Sequence, residues 1–175
     1  MKILEFPELR QTYGYDCGAK SIQAVLAFYG KDVREDKIIK YTGTNKKGTS
    51  IKGIIKTAEK HGLKCKAEQM EIKDLKKYIN KKIPVIVVLQ AWTNKKKVDW
   101  INDWIDGHFV VAIGYDSKHI YFEDPSSVLR TYLSYAEFKK RWHDVDTDGK
   151  KYFNYGIIVY GGKCKYKFKK SVHMK

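Results

Sequence analysis

Cys17 stands in the segment Gln11-Thr12-Tyr13-Gly14-Tyr15-Asp16-Cys17-Gly18, which is polar and glycine-punctuated. Ile22, Val25, Leu26 and Tyr29 then recur at helical spacing until Gly30. This pattern predicts a helix that begins at or just before Cys17 and stops at the glycine. A thiol at that position faces unpaired backbone N–H groups and the positive end of the helix, both of which favour the nucleophilic thiolate. Asp16 is placed to cap the helix, and Gly18 allows close backbone approach. Gln11 carries an amide N–H that can bind an oxyanion if the loop folds back. An isolated cysteine is most often a buried structural residue, so the chemical reading depends on its partners.

A nucleophilic thiol needs a base, and the chain offers His61, His108, His119, His143 and His173. His61 falls at a helix end and His173 in the tail. His108, in Gly107-His108-Phe109-Val110-Val111, opens a strongly apolar strand that can hold the ring rigidly. The next strand ends at Glu123-Asp124-Pro125, where proline stops the ladder from continuing. If the two strands pair across the turn Tyr115-Asp116-Ser117-Lys118, the start of one faces the end of the other, and His108 meets Asp124. Cys17, His108 and Asp124, with Gln11 as oxyanion donor, form the set that acyl transfer from an amide or ester requires.

Other chemistries find less support. Cys65 and Cys164 lack Cys-x-x-Cys partners, and whether they approach each other stays open. There is no phosphate-cradling glycine fingerprint and no His-Glu-x-x-His helix, so the reading calls for no cofactor and no metal. Gly43-Thr44-Asn45-Lys46-Lys47-Gly48 reads as a basic surface loop. Trp100 and Trp104, one helical turn apart, predict a short packed helix, with a lid over the cleft as the alternative.

These residues must be held by elements that the hydrophobic pattern outlines. A second helix is expected from Ser50 to His61, capped by Thr49 or Ser50 and stopped by Gly62, and a third from Ile72 to Ile79. Leu63 to Met70 reads as a strand or extended link. The second half changes character: Pro84 to Leu89, Phe109 to Gly114, His119 to Phe122 and Gly156 to Tyr160 are short β-branched or aromatic runs. A final helix from Ser134 to Trp142 would set Tyr135, Phe138 and Trp142 against the sheet. Gly161-Gly162 reads as a strand-ending turn in preference to a self-cleavage site.

The chain has 175 residues, of which 43% are hydrophobic and 31% charged, enough for one α+β domain with a core of its own. The expected division is a domain over 1–162 and a basic tail over 163–175. Lys and Arg number 35 against 20 Asp and Glu, a formal net charge of +15. That field suits an anionic partner, but no nucleic-acid-reading motif accompanies it, so nucleic acid is not the partner expected. No segment is apolar and long enough to span a membrane, and no signal peptide is seen, which makes the cytoplasm the default location.

The set also resembles a known family: the bacteriocin-processing, double-glycine-leader cysteine peptidases, peptidase family C39, and their stand-alone relatives. The resemblance covers Gln11 to about Tyr160. It rests on the glutamine and Asp16-Cys17-Gly18 region, on Gly107-His108-Phe109-Val110-Val111 with Asp124-Pro125, and on the helix Ser134 to Trp142. It implies a papain-like fold with an N-terminal helical part packed on an antiparallel sheet. It also implies Cys17 as nucleophile, His108 as base, Asp124 as its orienter and Gln11 as oxyanion contributor, with a peptide or protein as substrate. Relatives of this kind commonly form the N-terminal domain of an exporter, and this chain shows neither spanning segments nor an ATPase, so coupling to export is not implied. A transpeptidase or acyltransferase using the same residues, and a catalytically silent binding module for an anionic partner, are the alternatives. Oligomeric state and cleavage-site preference stay open, cleavage after small residues such as Gly-Gly included.

Overall fold

The computed structural model describes residues 1–168 together with Ser171, His173 and Met174. The part of the tail expectation that concerns Lys169, Lys170, Val172 and Lys175 lies outside the described residues. The elements run β1 (Lys2–Ile3), α1 (Cys17–Phe28), α2 (Glu35–Thr42), α3 (Ile51–Lys60), β2 (Lys64–Gln69), α4 (Ile72–Asn80), β3 (Val85–Gln90), β4 (Gly107–Tyr115), β5 (His119–Glu123), β6 (Thr131–Ser134), α5 (Tyr135–Arg141), β7 (His143–Val145), β8 (Lys151–Phe153) and β9 (Tyr155–Tyr160). A seven-stranded sheet has the order β2-β9-β3-β4-β5-β6, with β1 added to β4, and every pairing is antiparallel. β7 and β8 form a separate ribbon.

Helices cover both faces of this sheet. Ile86, Val88, Phe109, Val111, Ile113, Ile157 and Val159 pack in one cluster with Ile22, Val25 and Leu26 of α1, Ile38 of α2 and Ile54 of α3. Their neighbours in the strands, Val85, Val87, Leu89, Val110 and Ala112, pack in a second cluster with Leu75 of α4 and Phe138 of α5. Burial on both sides explains why β3 reads as an unbroken run of apolar residues instead of alternating with polar ones. The helices expected at the sequence positions of α1, α3, α4 and α5 form, and so do the four strands of the second half. Ser50 accepts from the Gly53 N–H at 3.0 Å as the N-cap of α3, and Gly30 and Gly62 follow α1 and α3 at φ of +74° and +72°.

Two expectations need correction. Residues 91–106 contain no helix. Asp99 accepts from the Ile101 N–H and from Asn102, and Asp103 accepts from the Ile105 N–H. Such local side-chain bonds offer the backbone an alternative to helix, so Trp100 sits on a turn and Trp104 in irregular backbone. The Arg141 guanidinium lies over the Trp100 ring at 3.9 Å, and Trp104 packs against the His143 ring in a tilted contact at 4.5 Å. Asp16 does occupy the N-cap position of α1, but its side chain makes no cap bond. Its carboxylate turns upstream and accepts the N–H groups of Thr12 (3.2 Å) and Tyr13 (3.1 Å), closing the loop that carries Gln11 toward the helix.

Candidate active site

Cys17 is the first residue of α1, and the approach of that helix to the sheet depends on Gly18. A Cβ on Gly18 would lie 2.7 Å from Thr49 Cβ and 2.9 Å from a Phe109 ring carbon. The start of the helix is then fixed by a run of hydroxyls. Ala19 N–H donates to Thr49 (3.2 Å), Thr49 and Thr44 share a bond of 2.7 Å, Thr44 and Thr42 one of 2.6 Å, and Thr42 donates to the Ile38 carbonyl at 2.8 Å. Each hydroxyl in this chain can donate once and accept once, so α1, the 43–49 loop and α2 are tied by fully satisfied groups.

His108 and Asp124 meet as the hairpin reading expects, but only because of an irregularity that the sequence does not display. Near the turn Gly114 pairs with Tyr121, whereas farther along Ala112 pairs with Phe122, so the register shifts by one residue between them. Without that bulge Ala112 would stand beside Glu123, and Asp124 would face away from His108. With it, His108, Val110 and Ala112 share a face with Phe122 and Asp124. His108 Nε2 lies 2.7 Å from Asp124 Oδ1, and both residues are buried.

Asp124 is fully engaged. Oδ1 also accepts the Ser126 N–H at 2.8 Å, and Oδ2 accepts the Trp92 indole N–H at 3.0 Å and the Thr131 hydroxyl at 3.2 Å. Burial raises the Asp124 pKa, but its bonds to His108, Ser126 and Trp92 prevail and hold it below the usual carboxylate value. Burial likewise works against a charged His108, yet the bond to Asp124 and the neighbouring Cys17 thiol outweigh it and raise the ring to about 9. The ring nitrogen left free by Asp124 is Nδ1, so Nε2 faces the carboxylate while Nδ1 is available to the thiol.

Gln11 is held close to this pair. Its backbone N–H donates to the Pro125 carbonyl (2.9 Å), its Oε1 accepts from the Ser126 hydroxyl (2.9 Å), and its Nε2 donates to the Tyr13 carbonyl (2.9 Å). One amide hydrogen is spent on Tyr13, which leaves the second for a ligand. The structure therefore brings Cys17, His108 and Asp124 together and ties Gln11 to the Asp124 loop. The other histidines serve elsewhere: His61 caps α3 and bonds the Thr57 carbonyl, His119 pairs with Asp116, and His143 bonds the Asp103 carbonyl.

A cleft of about 370 Å³ opens beside Cys17, walled by Gly107 and by residues 46–49 and 144–147. The loop read from sequence as mere surface thus forms one wall. Three further residues touch the site without a signal in the sequence reading: Trp92, Thr131 and Asp144. Only Ser126 could have been guessed, from its place two residues after Asp124. Among the described residues, no group of three or more His, Cys, Asp or Glu side chains is placed to hold a metal ion. Among them, too, no helix is long and apolar enough to cross a membrane.

A thiol at a helix start beside a buried His-Asp pair, on helices packed against an antiparallel sheet, defines the papain-like class of cysteine-peptidase folds. Within it, residues 5–146 match the model of the peptidase C39 family, and the chain belongs to that family. It is similar to an uncharacterised protein of Methanothermobacter marburgensis, 25% identical over 67% of this chain and 70% of that one. It also resembles the lactococcin-G-processing and transport ATP-binding protein of Lactococcus lactis subsp. lactis, 28% identical over 74% of this chain but only 17% of the transporter. Two solved structures share the fold. One is a double glycine motif protease from an AMS/PCAT transporter in complex with the leader peptide (TM-score 0.67, 24% identity, 90% of this chain and 93% of that one). The other is a C39-like protein of Bacillus anthracis (TM-score 0.68, 18% identity, 93% and 98%).

Proposed function

We propose that the protein is a cysteine peptidase that hydrolyses a peptide bond through a thioester acyl-enzyme. The observation that carries this reading is the buried His108-Asp124 pair at 2.7 Å beside the Cys17 thiol at the start of α1. His108 Nδ1 takes the Cys17 proton, and the thiolate attacks the scissile carbonyl. The oxyanion is received by the backbone N–H of Cys17 and the remaining Gln11 amide hydrogen. His108 then gives its proton to the leaving amine, and in the second half it takes a proton from the water that cleaves the thioester. Asp124 keeps Nε2 protonated throughout and stabilises the imidazolium, with Trp92, Thr131 and Ser126 holding the carboxylate in place. The substrate is a peptide or an unstructured segment of a protein. Cleavage after small residues such as Gly-Gly is proposed from the double glycine protease that shares the fold.

The test is mass analysis of a peptide library, with Gly-Gly peptides included, after incubation with the wild-type chain and with Cys17→Ala. Cleavage by wild type and its loss by at least about 1,000-fold in Cys17→Ala is the expected result. Undiminished cleavage by the variant would sink the mechanism. Added amines that appear in the products would reassign the enzyme as a transpeptidase with the same intermediate.

A further inference from the structure

The 144–147 segment, which lines the cleft together with the 46–49 loop, carries a carboxylate that the reaction does not use. Asp144 is 9% exposed. Its Oδ1 accepts from Gln90 Nε2 at 2.8 Å, and the fully buried Gln90 is itself locked by the His143 carbonyl (3.1 Å) and the Asp106 N–H (2.9 Å). The carboxylate lies against Gly107, the residue before His108, so closely that a Cβ there would come within 2.3 Å of Oδ2. Its donors are Gln90 and the adjacent Val145 N–H, and no Lys or Arg pairs with Asp144 among the described residues. The oxygens of Asp146, two residues on, accept the Ile51 and Thr147 N–H groups.

A carboxylate that is nine-tenths buried with no Lys or Arg beside it is costly in a folded protein unless a positive charge completes it. Asp144 borders the same space as Cys17. Its immobile partner Gln90 fixes its direction, and the missing side chain at Gly107 makes room for it. Burial, and next to it the charge of Asp146, push its pKa up to about 6, so the group is ionised at neutral pH. Lys46 and Lys47 also border the cleft and are exposed, and among the described residues neither forms an ion pair with Asp144 or Asp146.

We propose that Asp144 is a specificity-determining residue that receives a lysine or arginine side chain of the peptide, within three residues of the scissile bond. This deepens the peptidase reading and rests on it for the identity of the ligand as a peptide. A neutral side chain of equal length would fill the cleft but leave the Asp144 charge without a counter-ion. A glutamate would meet two carboxylates at the wall.

The experiment measures binding and cleavage separately. Labelled Gly-Gly peptides carrying lysine, norleucine or glutamate at each of three positions on either side of the bond are titrated into Cys17→Ala by fluorescence anisotropy. The same peptides are turned over by the wild-type chain. At one position lysine is expected to bind about 10-fold tighter than norleucine, as a charge-assisted bond in a partly desolvated site allows. Asp144→Asn, which keeps an acceptor for Gln90, should reduce that ratio to about 2-fold or less, while Asp146→Asn should leave it in place. Cleavage without lysine preference overturns the proposal and leaves the peptidase reading standing. Lysine-selective binding that depends on Asp144, with no cleavage by wild type, does the reverse. Neither binding nor cleavage of any peptide in the set overturns both.

Discussion

The side chain that decides the chemistry is Asp124, because four donors share its two oxygens and only one of them is His108. A carboxylate so engaged stays ionised and stationary, and it holds the His108 imidazolium charged up to about pH 9. The thiolate-imidazolium pair is therefore lost as pH rises through that value, and the alkaline limb of kcat/KM should fall near pH 9. Asp124→Asn removes the charge that raises His108, so the limb should move at least about one pH unit lower while kcat/KM drops by about 100-fold or more. A pH-rate profile of the variant with the limb unmoved would show that another group titrates there. Trp92 tests the support behind the carboxylate. It is 58% exposed, with φ of +60°, a conformation rarely adopted by a bulky residue, and its indole N–H still reaches Oδ2. Trp92→Phe keeps the ring and loses the donor, and kcat is expected to fall about 10-fold with KM little changed. Equal losses in kcat and in thermal stability would instead make Trp92 a merely structural residue.

At the scale of elements, the helix that carries Cys17 and the hairpin that carries His108 are the parts a reader of the sequence could place. The Ile22, Val25, Leu26 and Tyr29 stripe ends at a glycine, and the β4 and β5 runs are joined by a turn of few residues. What the sequence left hidden are effects of tertiary contact. The bulge between Ala112 and Gly114 decides which face Asp124 takes, yet β4 is buried on both faces, so its residues carry no alternation from which a register could be read. Helix α2 has only Ile38 and Ile39 as an apolar stripe. Its signals lie at its ends, Glu35 and Asp36 in the first turn and Gly43 left-handed after the last. Gly18 was legible as a place of close approach, and the structure identifies what approaches: Thr49 and Phe109. Gly18→Ala should push α1 from β4 at the point where the nucleophile sits. A destabilisation of about 2 kcal/mol in urea unfolding is expected, with Cys17-dependent cleavage falling by a larger factor than the stability loss accounts for. If the variant unfolds at the wild-type denaturant midpoint and cleaves normally, the helix does not depend on that contact.

For the whole molecule, the +15 charge says little about the site, whose cleft is lined by Asp144 and Asp146 as well as by Lys46 and Lys47. The N-terminal segment runs over β4 and β5 to reach the loop of Gln11, fastened by Leu4 N–H to the Ile113 carbonyl, Leu9 N–H to Glu123 Oε1 and Gln11 N–H to the Pro125 carbonyl. Glu123 is the one ionisable fastener, and it is buried next to Asp124. Burial, and after it the nearby Glu8 charge, push its pKa up to about 7. Between its unfolded value near 4.5 and about 7 the folded state binds the extra proton, so the stability Glu123 lends is whole below that window and is lost as pH rises through it. His108, raised to about 9, acts in the same direction from its unfolded value near 6.5 upward. Asp116, held low chiefly by the Tyr121 hydroxyl and the Lys118 N–H, acts oppositely, but its contribution is lost only as pH falls well below 4. Stability should therefore be greatest in mildly acidic solution and decline toward alkaline pH. Glu123→Gln keeps an acceptor for Leu9 and removes the titration. In urea unfolding it should match wild type near pH 4 and exceed it by about 1 to 2 kcal/mol at pH 8, leaving the decline due to His108 in place. A constant difference between the two proteins across that range would mean that Glu123 fastens the segment without sensing pH.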